Sequence, residues 1–200
     1  MKRICRHSNE AWSMDERKWI RQILVGDMQM FSCLVAKYER MAFSIAFRLM
    51  GNREEAEEVV QDAFVKMYHS LPDFRFDSLF STWFYRIVYR TALSALRRRP
   101  ETVDYEEIDT VNLMDEEVES ATSLLERTDR KTIIAEVLHH MPPDEALLLT
   151  LYYLEECSVE EIQQIMDLSP SNVKVKLYRA RKRFYVIVNE KMNMRKADLL

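Results

Sequence analysis

The sequence predicts an all-α protein: two small helical domains joined by an acidic flexible linker, the C-terminal domain carrying a helix-turn-helix. Three observations predict it. The 200 residues include only two glycines and five prolines, too few for the many tight turns of an all-β fold. Apolar residues recur at intervals of three and four over long stretches, which is the spacing of one helix face. Between Glu101 and Glu126 that periodicity lapses into ten acidic residues with no lysine or arginine, a composition that reads as a linker.

The first domain is expected over residues 17–99. Trp19, Ile20, Ile23 and Leu24 form a short amphipathic helix that Gly26 ends, and Asp27 is placed to cap the next. From Met28 to Met50 the residues Phe31, Leu34, Val35, Tyr38, Ala42, Ile45, Ala46 and Leu49 make a second helical stripe, broken by Gly51-Asn52. A third helix is predicted from about Arg53 to His69. It has a buried stripe of Val59, Val60, Ala63, Phe64 and Met67 and an acidic outer face of Glu54, Glu57, Glu58, Gln61 and Asp62. A loop containing Pro72 leads to a fourth helix, capped by Asp77 or Ser78 and stopped near Arg98 by Pro100.

The linker is expected over 100–128 and the second domain over 129–190. Ile133, Ile134, Val137, Leu138 and Met141 share a helix face, Pro142-Pro143 breaks it, and a Leu/Tyr-rich helix runs from Glu145 to Glu155. Two further short helices follow, and the tail from about Lys191 is expected to fray.

The formal net charge is −4, which by itself argues against a nucleic-acid partner. Its distribution argues for one. Lys174 to Arg183 holds six cations and no acid, and Arg97, Arg98 and Arg99 form a second basic run. Cys5, Cys33 and Cys157 are odd in number and far apart, and the four histidines have no metal spacing, so reduced thiols and no metal or cofactor are expected. No stretch of about 18 apolar residues exists to span a bilayer, and the N-terminus has no apolar signal core. A cytoplasmic protein without membrane insertion is therefore expected. No phosphate-cradling glycine loop or nucleophile motif appears, so an enzyme is not expected.

Ser158 to Phe184 is the most informative segment. Ser158-Val159-Glu160-Glu161 has the form of a capping box. Ile162 and Ile165 give that helix a buried face, Met166-Asp167-Leu168 forms a tight turn, and Ser169-Pro170 restarts a helix with serine at the cap and proline at the first position. Two short helices joined by so short a turn make a helix-turn-helix. Val173, Leu177, Ala180 and Phe184 form the inner stripe of the second helix. Its outer side offers Ser171, Asn172, Lys174, Val175, Tyr178, Arg179 and Lys182, a polar end suited to base edges and a cationic end suited to phosphates. Ser169 and Lys176 join the candidate contacts. A solvated basic helix in a bundle would explain the charges but not the cap, turn and restart together.

A second constellation runs from Phe74 to Arg99. Phe74, Phe76, Phe80, Trp83, Phe84, Tyr85 and Tyr89 are interleaved with Arg75, Arg86 and Arg90. Phe80, Trp83, Phe84, Ile87 and Val88 read as core. Thr82, Tyr85, Arg86, Tyr89 and Arg90 lie on the other side, and Arg75, Asp77 and Ser78 lie in the loop. Exposed rings beside cations suit unpaired bases, and a polar loop beside them suits an extruded base.

These segments resemble one family. The run Phe74-Arg75-x-Asp77-Ser78-x-Phe80-Ser81-Thr82-Trp83-Phe84-Tyr85-Arg86-Ile87 is similar to the promoter-melting region of extracytoplasmic-function sigma factors. Glu55-Ala56-Glu57-Glu58-Val59-Val60-Gln61-Asp62-x-Phe64 resembles their polymerase-binding helix. Gly26-Asp27-x-x-x-Phe31 looks like their opening, and Ser158–Ile162 with Ser171–Lys182 resemble their C-terminal domain. The resemblance implies a bacterial RNA polymerase subunit. Glu58, Gln61 and Asp62 would dock on the clamp helices of the largest polymerase subunit, and the flap of the second subunit would also be contacted. Phe74–Arg90 would open and read the minus-ten element, Ser169–Arg183 would read the minus-thirty-five element, and the linker would thread the polymerase cleft. The resemblance also implies an anti-sigma partner. Arg90 stands where members often carry a base-reading asparagine, and Ser94 where they often carry an aspartate. Phe76 stands where a glycine is common, which predicts a stiffer loop that accepts a different base. A free-standing helix-turn-helix regulator is the alternative function; it would explain the C-terminal half but leave the Phe74–Arg99 cluster as mere core.

Overall fold

The computed structural model describes residues 8–99 and 132–197, with side chains over 16–99 and 132–190. Eight helices and their connections account for the described residues, and no strand occurs among them. The chain divides into two compact units with the break in the chain at Glu101–Thr102. The predicted linker, 100–128, lies outside the described residues.

The N-terminal unit contains α1 (Ser8–Leu24), α2 (Met28–Met50), α3 (Arg53–Ser70) and α4 (Phe80–Leu96). The starts and stops follow local chemistry. Asp27 caps α2 by accepting the Gln29 amide at 3.0 Å, and Asn52 caps α3 by accepting the Glu55 amide at 3.1 Å. Each satisfies a donor that the helix leaves without a partner. Gly51 ends α2 in the left-handed conformation at φ 69°, which glycine adopts without a side-chain clash.

α2, α3 and α4 pack against one another, and α1 lies on α2. Their shared core holds Leu34, Ile45, Val59, Met67, Phe84 and Val88, all buried. Burying a side chain of this size contributes about 1.5–3 kcal/mol. α1 is longer than the Trp19–Leu24 segment predicted for it, and the added length includes a buried anchor, Glu16. Glu16 is 8% exposed. It accepts a hydrogen bond from the Tyr38 hydroxyl and pairs with the Lys37 ammonium. Burial, reinforced by Glu16, pushes the Tyr38 phenol well above its ordinary range.

The predicted cap of α4 differs from the one that forms. α4 begins at Phe80 with Leu79 at the cap position and no side-chain cap bond, so neither Asp77 nor Ser78 caps it. The Ser78 hydroxyl instead donates to the Leu79 carbonyl at 3.3 Å. α4 ends at Leu96, with turn hydrogen bonds continuing through Arg98, close to the predicted stop.

The C-terminal unit contains α5 (132–139), α6 (Pro143–Leu149), α7 (Val159–Met166) and α8 (Pro170–Ala197). Val137, Leu138 and Met141 are buried as predicted, while Ile134 is exposed. The helix expected over Glu145–Glu155 is not uniform. From Thr150 to Leu154 it widens into a π-helical turn, in which the Glu155 amide reaches the Thr150 carbonyl at 3.1 Å. The Thr150 hydroxyl donates back to the Ala146 carbonyl at 2.9 Å, the kind of back-bonding that bends a helix. α8 continues to Ala197, beyond the Lys191 position where fraying was expected.

Candidate nucleic-acid interface

The capping box forms as its four residues predict. The Ser158 hydroxyl accepts the Glu161 amide at 3.1 Å, and the Glu161 carboxylate accepts the Ser158 amide at 2.7 Å. α7 then buries Ile162, Ile165 and Met166. Its stop falls on Asp167, which takes the left-handed conformation at φ 58°. Aspartate is among the few non-glycine residues that visit this region readily. Ser169 caps α8 by accepting the Asn172 amide at 3.3 Å, and its hydroxyl lies 3.2 Å from that of Ser171. Pro170 opens the helix, where its missing N–H leaves no bond unmade.

α8 spends one stripe on the core. Val173, Leu177 and Ala180 are buried, while Phe184, predicted for the same stripe, is only half-buried. Ser171, Asn172, Lys174, Val175, Tyr178, Arg179 and Lys182 are all exposed. They occupy the side that the sequence assigned to DNA. The Lys182 ammonium lies 5.4 Å from the centre of the Tyr178 ring, one turn away.

Lys176 differs from its neighbours. It is half-buried and its ammonium donates to Asp144 of α6 at 2.8 Å. The reason is its place beside the inner stripe, three residues from Val173. Farther along, Arg183 donates to Glu145 of the same helix at 2.8 Å, and the Arg181 guanidinium lies over the rings of Tyr152 and Tyr153. These cations brace α8 against its own unit.

In the N-terminal unit, Glu58, Gln61 and Asp62 are exposed on one side of α3. Val65, one turn beyond Asp62, is exposed too. Val60, assigned to the buried stripe, is only half-buried.

The second constellation divides. Arg75, Asp77 and Arg90 are exposed, and Ser78, Arg86 and Tyr89 are half-buried. Thr82 and Tyr85 were expected on the outer side, but they are 3% and 8% exposed. The cause is packing: α4 is covered by α2 and by α3, so more than one stripe turns inward. The Tyr85 ring meets Tyr38 of α2 at 6.0 Å, edge to face. Trp83 and Ile87, assigned to the core, sit at its edge instead. The basic run is also partly engaged. Arg99 donates to Glu55 at 3.1 Å and to the Met50 carbonyl at 2.7 Å, which ties the chain after α4 to the ends of α2 and α3.

The loop before α4 holds a feature that no local pattern announces. Phe76 has a φ of 60°, a left-handed conformation that costs a side-chain-bearing residue roughly 1–2 kcal/mol. Its ring packs on Phe74 at 4.7 Å, and Phe74 in turn meets Phe80 and Trp83 at 5.6 and 4.8 Å. On α1, the Arg17 guanidinium lies 5.2 Å from the centre of the Phe76 ring. The glycine common at this position in the resembled family is the residue that adopts such a conformation without that cost.

A helix-turn-helix with a cationic outer side, together with a helical unit bearing an acidic face and an aromatic-cationic loop, defines a two-domain transcription protein. Comparison with known proteins agrees. Residues 34–101 match the Sigma-70 region 2 family, and residues 131–184 match Sigma-70, region 4. The chain is 32% identical over 169 residues to the ECF RNA polymerase sigma-E factor of Escherichia coli K12, covering 81% of this chain and 88% of the relative. It is 32% identical over 180 residues to that of Haemophilus influenzae, covering 86% and 94%. Among solved structures, the fold is similar to CnrH in complex with the cytosolic domain of CnrY (TM-score 0.60, 24% identity, 88% and 98% of the two chains). It is also similar to the sigma factor RpoE from Bartonella quintana in complex with the anti-sigma factor NepR (TM-score 0.62, 17% identity, 80% and 96%). The chain belongs to the ECF RNA polymerase sigma factors. As such it directs RNA polymerase to promoters.

Proposed function

We propose that the two units divide the work of promoter recognition. The Glu58, Gln61 and Asp62 side of α3 docks on the clamp helices of the largest polymerase subunit. The loop and α4, through Arg75, Asp77, Ser78, Arg86, Tyr89 and Arg90, hold the opened minus-ten element. Thr82 and Tyr85 support that surface from within, as parts of the core. The N-terminal half of α8, through Ser171, Asn172, Lys174 and Val175, reads the minus-thirty-five duplex. Tyr178, Arg179 and Lys182 meet its phosphates. Ser169 caps the helix, and Lys176 braces it. The protein works by binding, in the cytoplasm, while the polymerase supplies the chemistry. An anti-sigma factor is the expected inhibitor, as the RpoE complex illustrates for that relative.

The observation that carries this proposal is the division of α8. Its buried stripe leaves seven candidate contacts exposed on the other side. The experiment is transcription of genomic DNA by purified core polymerase with and without the protein, followed by mapping of start sites. New starts that share minus-ten and minus-thirty-five elements are expected. New starts without shared elements at those two positions would contradict this division of work.

A further inference from the structure

The Phe76 loop is held in a conformation that its own residue type disfavours. Such a conformation persists only where the surroundings over-determine it. Two contacts do so here. From one side the Phe74 ring packs against Phe76, and Phe74 is itself buried against Phe80 and Trp83. The other contact comes from outside the loop: the Arg17 guanidinium of α1 lies 5.2 Å from the ring centre, within the range where a cation is attracted by an aromatic face. α1 is in turn fixed to α2 through Glu16, one residue before Arg17, which engages Lys37 and Tyr38. A chain of contacts thus runs from the core of the unit through α1 to the loop. Phe76 is flanked by Arg75 and Asp77, both exposed, so the backbone angle at Phe76 sets the direction in which those two side chains leave the loop.

We propose that Arg17 is a positioning residue for minus-ten recognition: by clamping Phe76 it fixes the loop shape and so helps to choose which extruded base the loop accepts. This rests on the assignment of the loop to the minus-ten strand. Arg17 itself touches no base; it acts through Phe76. α1 thereby becomes part of promoter specificity, although it lies outside both segments that match the sigma regions.

The test uses the full chain assembled with core polymerase and a promoter whose minus-ten segment is presented as a randomised single-stranded stretch within otherwise duplex DNA. Bound sequences are recovered and counted for the wild type, Arg17→Ala, Arg17→Lys and Phe76→Leu. Arg17→Ala and Phe76→Leu are expected to flatten the preference at the same position by about two- to fivefold, the range a partly exposed cation–ring contact implies. Arg17→Lys, which keeps the cation, is expected to restore most of it. A merely structural role would lower recovery of all sequences alike and leave the preference intact, and that result overturns the proposal. So would a change at different positions in the two variants. If the wild type itself shows no preference anywhere in the randomised stretch, the minus-ten assignment of the loop fails, and the proposal fails with it. Thermal unfolding of each variant identifies any that lose the fold. Should Arg17→Ala unfold, Arg17→Gln, which keeps most of the stem and removes the cation, takes its place: it is required to shift the preference at the same position as Phe76→Leu, and agreement of Arg17→Gln with the wild type overturns the proposal.

Discussion

At the scale of single residues, the sharpest contrast is between Lys174 and Lys176. They are two apart in sequence, both cationic, and part of the same basic run. Lys174 is exposed, whereas Lys176 is drawn to Asp144 at 2.8 Å. Lys174→Ala is therefore expected to weaken binding to the minus-thirty-five duplex by roughly 1–3 kcal/mol if the ammonium reads a base edge. Lys176→Ala should change that affinity by less than about 0.5 kcal/mol and instead lose a partly exposed ion pair, worth roughly 0.2–1 kcal/mol of stability. Titration of labelled promoter with holoenzyme, together with urea unfolding, separates the two effects; equal losses of affinity would contradict the assignment. Cys157 supplies a second residue-level expectation. Burial, with Glu161 and Glu155 adding to it, pushes its thiol up to about 12 from an ordinary value of 9.0. The folded state favours the protonated thiol, so its contribution is fully present below pH 9 and is lost as pH rises toward 12. Comparison of urea midpoints for wild type and Cys157→Ala over that range should show the difference narrowing as pH rises, and constant below it.

At the scale of elements, α4 decides how the aromatic segment is to be probed. Tyr85 is buried against Tyr38 and Phe84. Tyr85→Ala removes an aromatic core side chain and is expected to cost about 3–5 kcal/mol of stability in the N-terminal unit. A loss of promoter opening in that variant would report unfolding. Arg90→Ala, at an exposed position, should cost at most about 1 kcal/mol of stability, the range of a surface polar contact, while reducing opening of the minus-ten element. Urea unfolding beside a permanganate footprint checks both. The same helix shows where sequence stops being informative. Signals within a few residues were legible: the Asp27 cap, the Gly51 stop, the Ser158–Glu161 box and the Ser169-Pro170 restart are local hydrogen bonds and local dihedral preferences, and each formed as its residues dictate. The inner stripe of α8 was legible because one face of that helix is buried. α4 departs from its pattern because it is covered by two helices, and the period of 3.6 names a face without saying how many faces are covered. The Lys176–Asp144 pair, the Tyr38–Glu16 hydrogen bond and the contact of Arg17 with Phe76 join residues 32, 22 and 59 positions apart, and no local pattern encodes them. The Phe76 dihedral left only an indirect trace, in that a glycine is common at its place in the resembled family.

At the scale of the whole molecule, each unit has its own buried core and its own candidate DNA surface, and the segment between them carries ten acids and no base from Glu101 to Glu126. Binding one promoter element therefore raises the local concentration of the other unit at its element. Linking two binding modules in this way raises affinity by about 10²–10⁴ without any new contact, provided that the linker spans the sites. Separate fragments, 1–101 and 129–200, are expected to fold, since each unit buries an apolar core of its own. Supplied together with core polymerase, they are expected to recognise the same two elements as the intact chain. Promoter affinity and transcript yield should nevertheless fall by roughly 100-fold at equal concentrations. The loss should shrink as the 129–200 fragment is raised toward millimolar concentration, where it approaches the effective concentration of a tethered unit. Run-off transcription against fragment concentration measures this directly. Full activity of the fragments at micromolar concentration would mean that the polymerase holds each unit firmly by itself and that covalent linkage adds nothing. Inactivity at every concentration would mean that the acidic segment has a role of its own within the polymerase, beyond joining the two units.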